Sequence, residues 1–423
     1  MKHTCFYPAS VLLPDFTVCD GEKYACIACD QFTAEPDYWK EAEEFVGDAP
    51  SALHMILPEC FLDERAERIP SINAEMRRLL NAGFFCTLPD SMVLVERTCP
   101  DGRCRRGLIG MVDLELYSYE KDAALPIRAT EGTVLERIPP RVEIRREAPL
   151  ELPHIMLLID DPGKTVVEAQ AARCESFTPL YDFDLMLGGG HIRGMRLDNA
   201  GLLEVETALS ALTDPAVQEE KYGSADRPLL FAVGDGNHSL ATAKACYEAI
   251  KTAIGKEAAA GHPSRFALCE IVNLHDPALD FEPIYRVVFG AKTDEITAAF
   301  RSYADRHANT HYPAQTFTVL HGAHEISLTL PHGTHIQPIG TLQAFLDEYL
   351  PAHPGLAVDY IHDETSLRAL ASRRDTVGFL FSGMKKEDLF PAIAQGGALP
   401  RKTFSMGHAR DKRYYLEARR IRP

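Results

Sequence analysis

Apolar and polar positions alternate with two different periods along this chain, and the change of period is sharpest at residues 229–254. Five consecutive apolar residues, 229–233, predict a short buried strand. A polar, glycine-containing turn follows, and a helix is predicted to begin near Asn237. Gly261 and Pro263 are expected to mark its end. The apolar positions that recur every three or four residues, the pattern of a helix packed on a sheet, are Leu240, Ala243, Tyr247, Ile250 and Ile254.

Other stretches predict strands and helices in alternation, which favours a mixed α/β (α+β) fold. We expect strands at 92–96 and 108–117, joined as a hairpin, and at 152–161, 265–274 and 280–289, with helices at 64–81 and 293–306. Residues 125–146 contain Pro139 and Pro140 and predict extended or looped, charged backbone. A boundary near Gly290 divides the chain into 1–290, a core with the glycine turn, and 291–423, a C-terminal α/β region with basic terminal strands.

The glycine turn has the composition of an anion site. Gly234 and Gly236 permit a sharp reversal of the backbone. The amides of Asn237, His238 and Ser239 then lack intrahelical acceptors and lie at the positive end of the helix dipole, which suits phosphate or carboxylate. The alternative is a simple cap and turn, because Asp, Asn, Ser and Gly are ordinary residues in both.

The segment Asp235-Gly236-Asn237-His238-Ser239 resembles the Asp-Gly-His-His-Arg signature of the DUF1015 family, with the first histidine and the arginine replaced. Arg286, in 279–288, stands where the family has Pro-Thr-His-Arg. Glu131, in the segment that ends at Thr133, stands near its His-Glu-x-Thr. Residues 404–421 match its closing Lys- and aromatic-containing strand, so the resemblance covers most of the chain.

The same turn resembles, more distantly, the Gly-x-x-Arg phosphate motif of the ParB and sulfiredoxin group, which includes free-serine kinases. This resemblance implies a ParB/sulfiredoxin-like core with additional α/β elements and a bound nucleotide. An aspartate beside a phosphate needs a bridging cation, so Mg²⁺ is expected with the nucleotide. Asn237 stands where sulfiredoxin chemistry needs cysteine, which argues against repair of sulfinic cysteine.

Two hypotheses of function follow from these resemblances. The first is a small-molecule, amino-acid-type phosphotransferase that uses ATP or ADP; the second is a non-catalytic nucleotide or metabolite sensor that acts through a protein partner. In the first, the roles are a general base for Glu131, a magnesium ligand or substrate base for Asp235, and a donor to phosphoryl oxygen for His238. The predicted cofactor-binding residues are Gly234, Gly236, Asn237, Ser239, Arg286 and Lys402.

Lys402 belongs to a basic terminal segment. Residues 401–423 contain eight Lys or Arg against Asp411 and Glu417. One of the cations Arg401, Lys402, Lys412 or Arg413 could supply the charge that Ser239 lacks, or the segment could be an exposed basic tail.

Charge and cysteine content limit the other classes of function. The net charge of -17, from 44 Lys+Arg against 61 Asp+Glu, disfavours nucleic acid and anionic membranes as partners, so we expect a small anionic ligand. No apolar run approaches the roughly 20 residues of a membrane span, and the odd count of 11 cysteines fits reduced thiols, so a cytoplasmic location is expected. Two sequence pairs have zinc-site spacing, Cys26/Cys29 and Cys99/Cys104, but core cysteines are favoured.

Overall fold

The computed structural model describes residues 4–120, 123–132, 138–223 and 225–423. Thr133 and Arg137, within two of the segments discussed above, lie outside the described residues. The strands in chain order are β1 (Phe6–Tyr7), β2 (Ala9–Pro14), β3 (Cys26–Ile27), β4 (Phe85–Ser91), β5 (Val93–Thr98), β6 (Cys104–Asp113), β7 (Tyr117–Ser118), β8 (Ile127–Ala129), β9 (Leu150–Glu151), β10 (Met156–Ile159), β11 (Thr178–Leu185), β12 (Gly190–Arg196), β13 (Phe231–Asp235), β14 (Phe266–Asn273), β15 (Phe281–Pro283), β16 (Tyr285–Phe289), β17 (Gln315–His321), β18 (His324–Leu330), β19 (Ala357–Ile361), β20 (Thr376–Phe381), β21 (Phe404–Met406), β22 (Tyr414–Tyr415) and β23 (Arg419–Arg420). The helices are α1 (Gly21–Tyr24), α2 (Pro36–Val46), α3 (Arg65–Asn81), α4 (Ile138–Arg146), α5 (Val167–Ala171), α6 (Asn199–Leu212), α7 (Pro215–Tyr222), α8 (Asn237–Ile254), α9 (Lys256–Ala260), α10 (Thr293–His307), α11 (Pro338–Tyr349), α12 (Glu364–Ala371) and α13 (Leu389–Gly396).

The predicted mixed α/β fold is confirmed. Two compact units share the chain: the first contains the residues up to Leu279, Phe390–Ala398 and His408–Pro423, and the second contains Asp280–Leu389 and Leu399–Gly407. The division into 1–290 and 291–423 stays a prediction, as does a ParB/sulfiredoxin-like core.

A mixed sheet is the centre of the first unit. Among the described residues its strand order is β11-β12-β5-β6-β14-β10-β13-β8-β7, with β1 paired to β6. The pairs β10–β14, β13–β8 and β7–β8 are parallel, whereas β5 and β6 form the predicted antiparallel hairpin. A sheet of this kind needs cover on both faces when its strands are apolar throughout.

Two hydrophobic cores provide that cover. Successive side chains of β5 point to opposite faces, so Val93 and Val95 enter one core and Leu94 the other. Helices α2 and α3 contribute to the first core. Leu240 and Tyr247 of α8 contribute to the second, as their helical spacing predicted.

Helix α8 ends earlier than the sequence analysis expected. The expectation of an end at Gly261 and Pro263 is wrong, because Gly255 already adopts φ 86° and closes α8 at Ile254. Ile254 is 47% exposed and is not part of the buried face. A glycine with positive φ stops a helix at little steric cost.

Residues 125–146 are more regular than expected. The expectation of extended or looped backbone agrees with β8 at one end, but it is wrong at the other end, which forms α4. Pro139 and Pro140 fit into α4 because they occupy its first turn, where a missing N–H removes no intrahelical hydrogen bond.

The second unit contains a five-stranded antiparallel sheet in the order β18-β17-β20-β16-β19. Apolar residues of α10 and α11, among them Phe300 and Phe345, pack on one face. Leu367 and Ala371 of α12 pack on the other. The alternating helix and strand pattern predicted for the last third of the chain is confirmed.

None of the helices in the described ranges is both long and apolar enough to cross a bilayer.

Candidate functional site

The predicted strand, turn and helix form one continuous structure at residues 231–254. Strand β13 ends at Asp235, Gly236 adopts φ 78°, and α8 begins at Asn237. The first intrahelical bond runs from Leu240 N to Gly236 O at 2.9 Å, and within the described part of the chain no side chain caps this helix. The start of α8 therefore presents backbone donors with the polarity that suits an anion.

Strand register brings His154 to this turn. Asp235 pairs with Met156 in the antiparallel β10–β13 ladder, so the residues just before β10 lie beside the turn. A Cβ on Gly236 would lie 3.1 Å from Ile155 Cα, a tight contact, so space as well as φ favours glycine here. His154 Nε2 lies 3.3 Å from Ser239 Oγ, and its Nδ1 lies 2.6 Å from the Tyr415 hydroxyl.

A parallel pairing brings the Glu131 segment to the same edge. Val233 of β13 pairs with Ala129 of β8, and Asp235 and Glu131 each lie two residues beyond that pair. The Asn237 amide group donates to Thr130 Oγ1 at 3.1 Å, and its Oδ1 accepts from Thr130 N at 3.3 Å. The Asn237 side chain thus joins the two segments.

Lys412 supplies a cation at the turn. Its Nζ lies 3.3 Å from Asp235 Oδ2, and its side chain is 9% exposed. Two contacts hold the segment that contains Lys412 in this position. Strand β22 pairs with β3, and Ala28 N donates to Arg413 O at 3.0 Å. The expectation of an exposed basic tail is wrong for Lys412, Arg413 and Arg419, which are buried.

Asp30 also lies at this turn, beside His154, although no motif in the sequence predicted it. Its Oδ2 lies 3.6 Å from His154 Nε2, and Gln31 Nε2 donates to its Oδ1 at 2.9 Å. Desolvation raises the pKa of Asp30, but His154, the Gln31 hydrogen bond and Lys412 outweigh it, so the pKa is lower than usual. The only signal in the sequence was an acid directly after the short apolar stretch 24–29. His154, just before an apolar strand, was missed in the same way.

Arg286 has contacts of a structural kind within the second unit. Its guanidinium donates to Gln343 Oε1 at 2.8 Å and to the carbonyls of Ile284, Arg401 and Lys402 at 2.6, 3.0 and 3.1 Å. Burial lowers the pKa of Arg286 to about 10. Binding of phosphate by Arg286 and by the exposed Lys402 stays a prediction, as do the catalytic roles of Glu131, Asp235 and His238.

Metal-ligand geometry is not preformed in the described ranges, where no three His, Cys, Asp or Glu side chains converge on one point. Burial raises the pKa of the Cys26 and Cys29 thiols, whereas a zinc-bound cysteine is a thiolate. Asp161 accepts hydrogen bonds from Thr165 N and Val166 N at 2.6 and 2.9 Å, as a turn residue does.

Comparisons with known proteins identify one family model, described as a protein of unknown function (DUF1015), which matches residues 16–349. Among curated proteins, none matches the chain. Similar solved structures include a free serine kinase variant in complex with AMP, at 11% identity and TM-score 0.39, covering 74% of this chain and 90% of that one. A conserved hypothetical protein from Pyrococcus furiosus has 10% identity and TM-score 0.36, with 74% and 94% covered. SbnI from Staphylococcus aureus, truncated at its C-terminus, has 10% identity and TM-score 0.35, with 71% and 82% covered.

Proposed function

The chain belongs to the DUF1015 family of proteins of unknown function, and we propose that it binds a nucleotide phosphate at the Gly236 turn and transfers a phosphoryl group to a small hydroxyl-bearing molecule. One observation carries this proposal. The uncapped start of α8 lies beside a buried lysine, Lys412, a histidine, His154, and two carboxylates, Asp30 and Asp235.

The phosphate is held by backbone amides and by Lys412. The 3.3 Å separation of Lys412 Nζ from Asp235 is longer than the roughly 2.7–2.9 Å of a strong charge-assisted bond. Lys412 can therefore turn to a phosphate oxygen and still neutralise Asp235. The first-turn amides add donors that need no side-chain rearrangement.

Asp235 is the proposed magnesium ligand. A carboxylate repels phosphate unless a cation lies between them. Mg²⁺ in phosphoryl-transfer sites takes one or two protein carboxylates and completes its shell with phosphate oxygens and water. The lack of a three-ligand cluster among the described residues is therefore compatible with a metal that arrives with the nucleotide.

Asp30 is the proposed general base, with Glu131 as the competing candidate. The acceptor oxygen forms a bond to the terminal phosphorus, the bond from that phosphorus to the bridging oxygen of the nucleotide breaks, and the hydroxyl proton passes to Asp30. Asp30 is ionised at neutral pH and can accept the proton, although its lowered pKa makes it a weaker base than an ordinary aspartate. Asp30→Asn should abolish transfer with nucleotide binding retained, whereas loss of transfer in Glu131→Gln alone would assign the base to Glu131.

Thermal unfolding with ATP or ADP, with and without Mg²⁺, tests the binding step. A ligand at about 100 times its Kd stabilises the folded state by about 2.7 kcal/mol. Asp235→Ala and His238→Ala should lose that stabilisation. Asp37→Ala, which removes a carboxylate that is 90% exposed on α2, is the matched control and should keep it. Nucleotides that stabilise neither the wild type nor the control would refute the proposal.

The sensor hypothesis rests on Ser239, which stands in place of the arginine of the family signature. Without that charge, a site can bind phosphate and still stabilise the transition state poorly. Nucleotide binding with no transfer to hydroxyl amino acids or other small alcohols would select the sensor.

A further inference from the structure

An apolar cavity of about 150 Å³ lies in the first unit next to the proposed site. One end of it is lined by His154, Ser239 and Tyr415, which are side chains of the site itself. The remaining wall is mostly aliphatic. Representative lining residues are Met55, Leu57, Met76, Ile144, Ala148 and Leu150.

The charged side chains in the wall neutralise one another. Arg141 is paired with Glu59, and Arg145 Nη2 lies 2.6 Å from Glu151 Oε2. Each cation already has an anion, so a charged ligand group would be desolvated there without gaining a partner. The desolvation cost of a charged group exceeds the gain from burying it in this cavity. A neutral apolar group, in contrast, is transferred from water into the cavity favourably.

We infer that this cavity holds a neutral apolar side chain of the phosphoryl acceptor, with the acceptor hydroxyl at His154 and Ser239. The inference rests on the proposed function for the identity of the acceptor. An apolar cavity of about 150 Å³ accepts one benzene molecule in a protein where this has been measured. The acceptor class is therefore a hydroxyl compound with a group of about that size, rather than serine itself.

The hydroxyl and the apolar group are placed by separate parts of the site. His154 is 4% exposed; Tyr415 holds its Nδ1 at 2.6 Å, whereas its Nε2 has only the longer separations of 3.3 Å from Ser239 and 3.6 Å from Asp30. A hydroxyl beside it lies within reach of Asp30, while the aliphatic wall sets how far the rest of the molecule extends. Each methylene buried there should strengthen binding by about fourfold.

Calorimetric titration of the full chain with L-serine, L-threonine and β-phenylserine tests this inference. We expect β-phenylserine to bind at least tenfold more tightly than serine. Ile144→Trp, which fills the cavity from α4, should weaken β-phenylserine binding at least tenfold and leave serine binding unchanged. Arg146→Trp, at an exposed position of the same helix, should bind like the wild type. Ile144→Phe is a milder variant if the tryptophan impairs folding, and it should produce a smaller loss.

The outcomes separate this inference from the proposed function. Equal affinity for serine and β-phenylserine, or no effect of Ile144→Trp and Ile144→Phe, overturns the inference even where nucleotide binding and transfer succeed. Cavity-dependent binding of β-phenylserine together with no stabilisation by nucleotide supports the apolar subsite and overturns the phosphotransferase.

Discussion

Two neighbouring cations, Lys412 and Arg413, lie in very different surroundings although both are buried. Arg413 donates to Glu270 Oε2 at 2.5 Å, to Glu417, and to the Pro153 carbonyl at 3.1 Å. Lys412 has its carboxylate contact with Asp235 at 3.3 Å. One residue step along an extended chain reverses the side of the backbone to which a side chain points.

Each of the three guanidinium nitrogens of Arg413 has an acceptor. Desolvation lowers the pKa of Arg413, but Glu417 and Glu270 outweigh it and raise the pKa above the usual value. Tyr181 donates its hydroxyl to Glu417. A group with this many short contacts has nothing left for a ligand, so its role is structural. Among the described residues, Lys412 has one ion-pair contact, with Asp235 at 3.3 Å, and it also lowers the pKa of Asp30; this looser arrangement beside a helix start is one that a ligand can use.

Arg413→Met should have the largest effect on stability. It leaves Glu270 and Glu417 buried without their shared cation, so the free energy of unfolding should fall by about 3–5 kcal/mol. Urea denaturation measures this loss. Lys412→Met is the comparison, and an equal loss in both variants would remove the distinction between the two cations.

Lys412→Met should instead act on the ligand. Its loss of stability without ligand should stay near 1–2 kcal/mol, since Asp235 is only part-buried. The stabilisation by nucleotide and Mg²⁺ should disappear. Lys40→Met, at an exposed lysine paired with Asp37, is the control and should retain it. Retained nucleotide stabilisation in Lys412→Met would exclude this lysine from the site.

Gly236→Ala and Gly223→Ala separate backbone conformation from the close approach of β10. Their φ values are 78° and 67°, so both alanines have the left-handed cost of about 1–2 kcal/mol. Only at Gly236 would the new Cβ meet another segment, 3.1 Å from Ile155 Cα, and nothing lies within 4 Å at Gly223. Gly236→Ala should therefore be the less stable variant in urea and should lose nucleotide stabilisation. Equal stability of the two variants in urea would mean that a small shift of the backbone relieves the contact with Ile155.

An exposed ion pair, that of His191, should contribute less to stability than the buried cations do, so its substitution should have the smallest effect. Desolvation lowers the pKa of His191, but hydrogen bonds to Asp184 and Asp182, at 2.7 and 2.6 Å, raise it overall. A raised folded pKa contributes stability below the unfolded value of about 6.5 and loses it as pH rises through the folded pKa. His191→Asn should thus lose under about 1 kcal/mol near pH 5.5, since the side chain is 39% exposed, and almost nothing near pH 9. A loss that grows with pH would have the wrong sign.

The local pattern of apolar and polar residues was sufficient to predict the strand and the helix of the site. The apolar run before Asp235, the glycine turn and the three-to-four periodicity after it predicted β13 and α8, and both are present. It was insufficient for the position of the end of α8, because two glycines, Gly255 and Gly261, were both compatible with the pattern. It was also insufficient for Arg286, whose resemblance to a family arginine gave no information about its buried contacts.

The sequence by itself determined that a buried strand runs through a glycine turn into an amphipathic helix, because those features depend on neighbouring residues. Only the tertiary structure decided which side chains surround that turn. His154 is 85 residues from Ser239, and Tyr415 is 386 residues from Cys29. Strand β10 is apolar throughout and β13 is apolar up to Gly234 and Asp235, so neither strand has an alternation of polar and apolar residues that would fix their register. Packing of the whole unit selected the register that places His154, Asp30 and Lys412 beside Gly236.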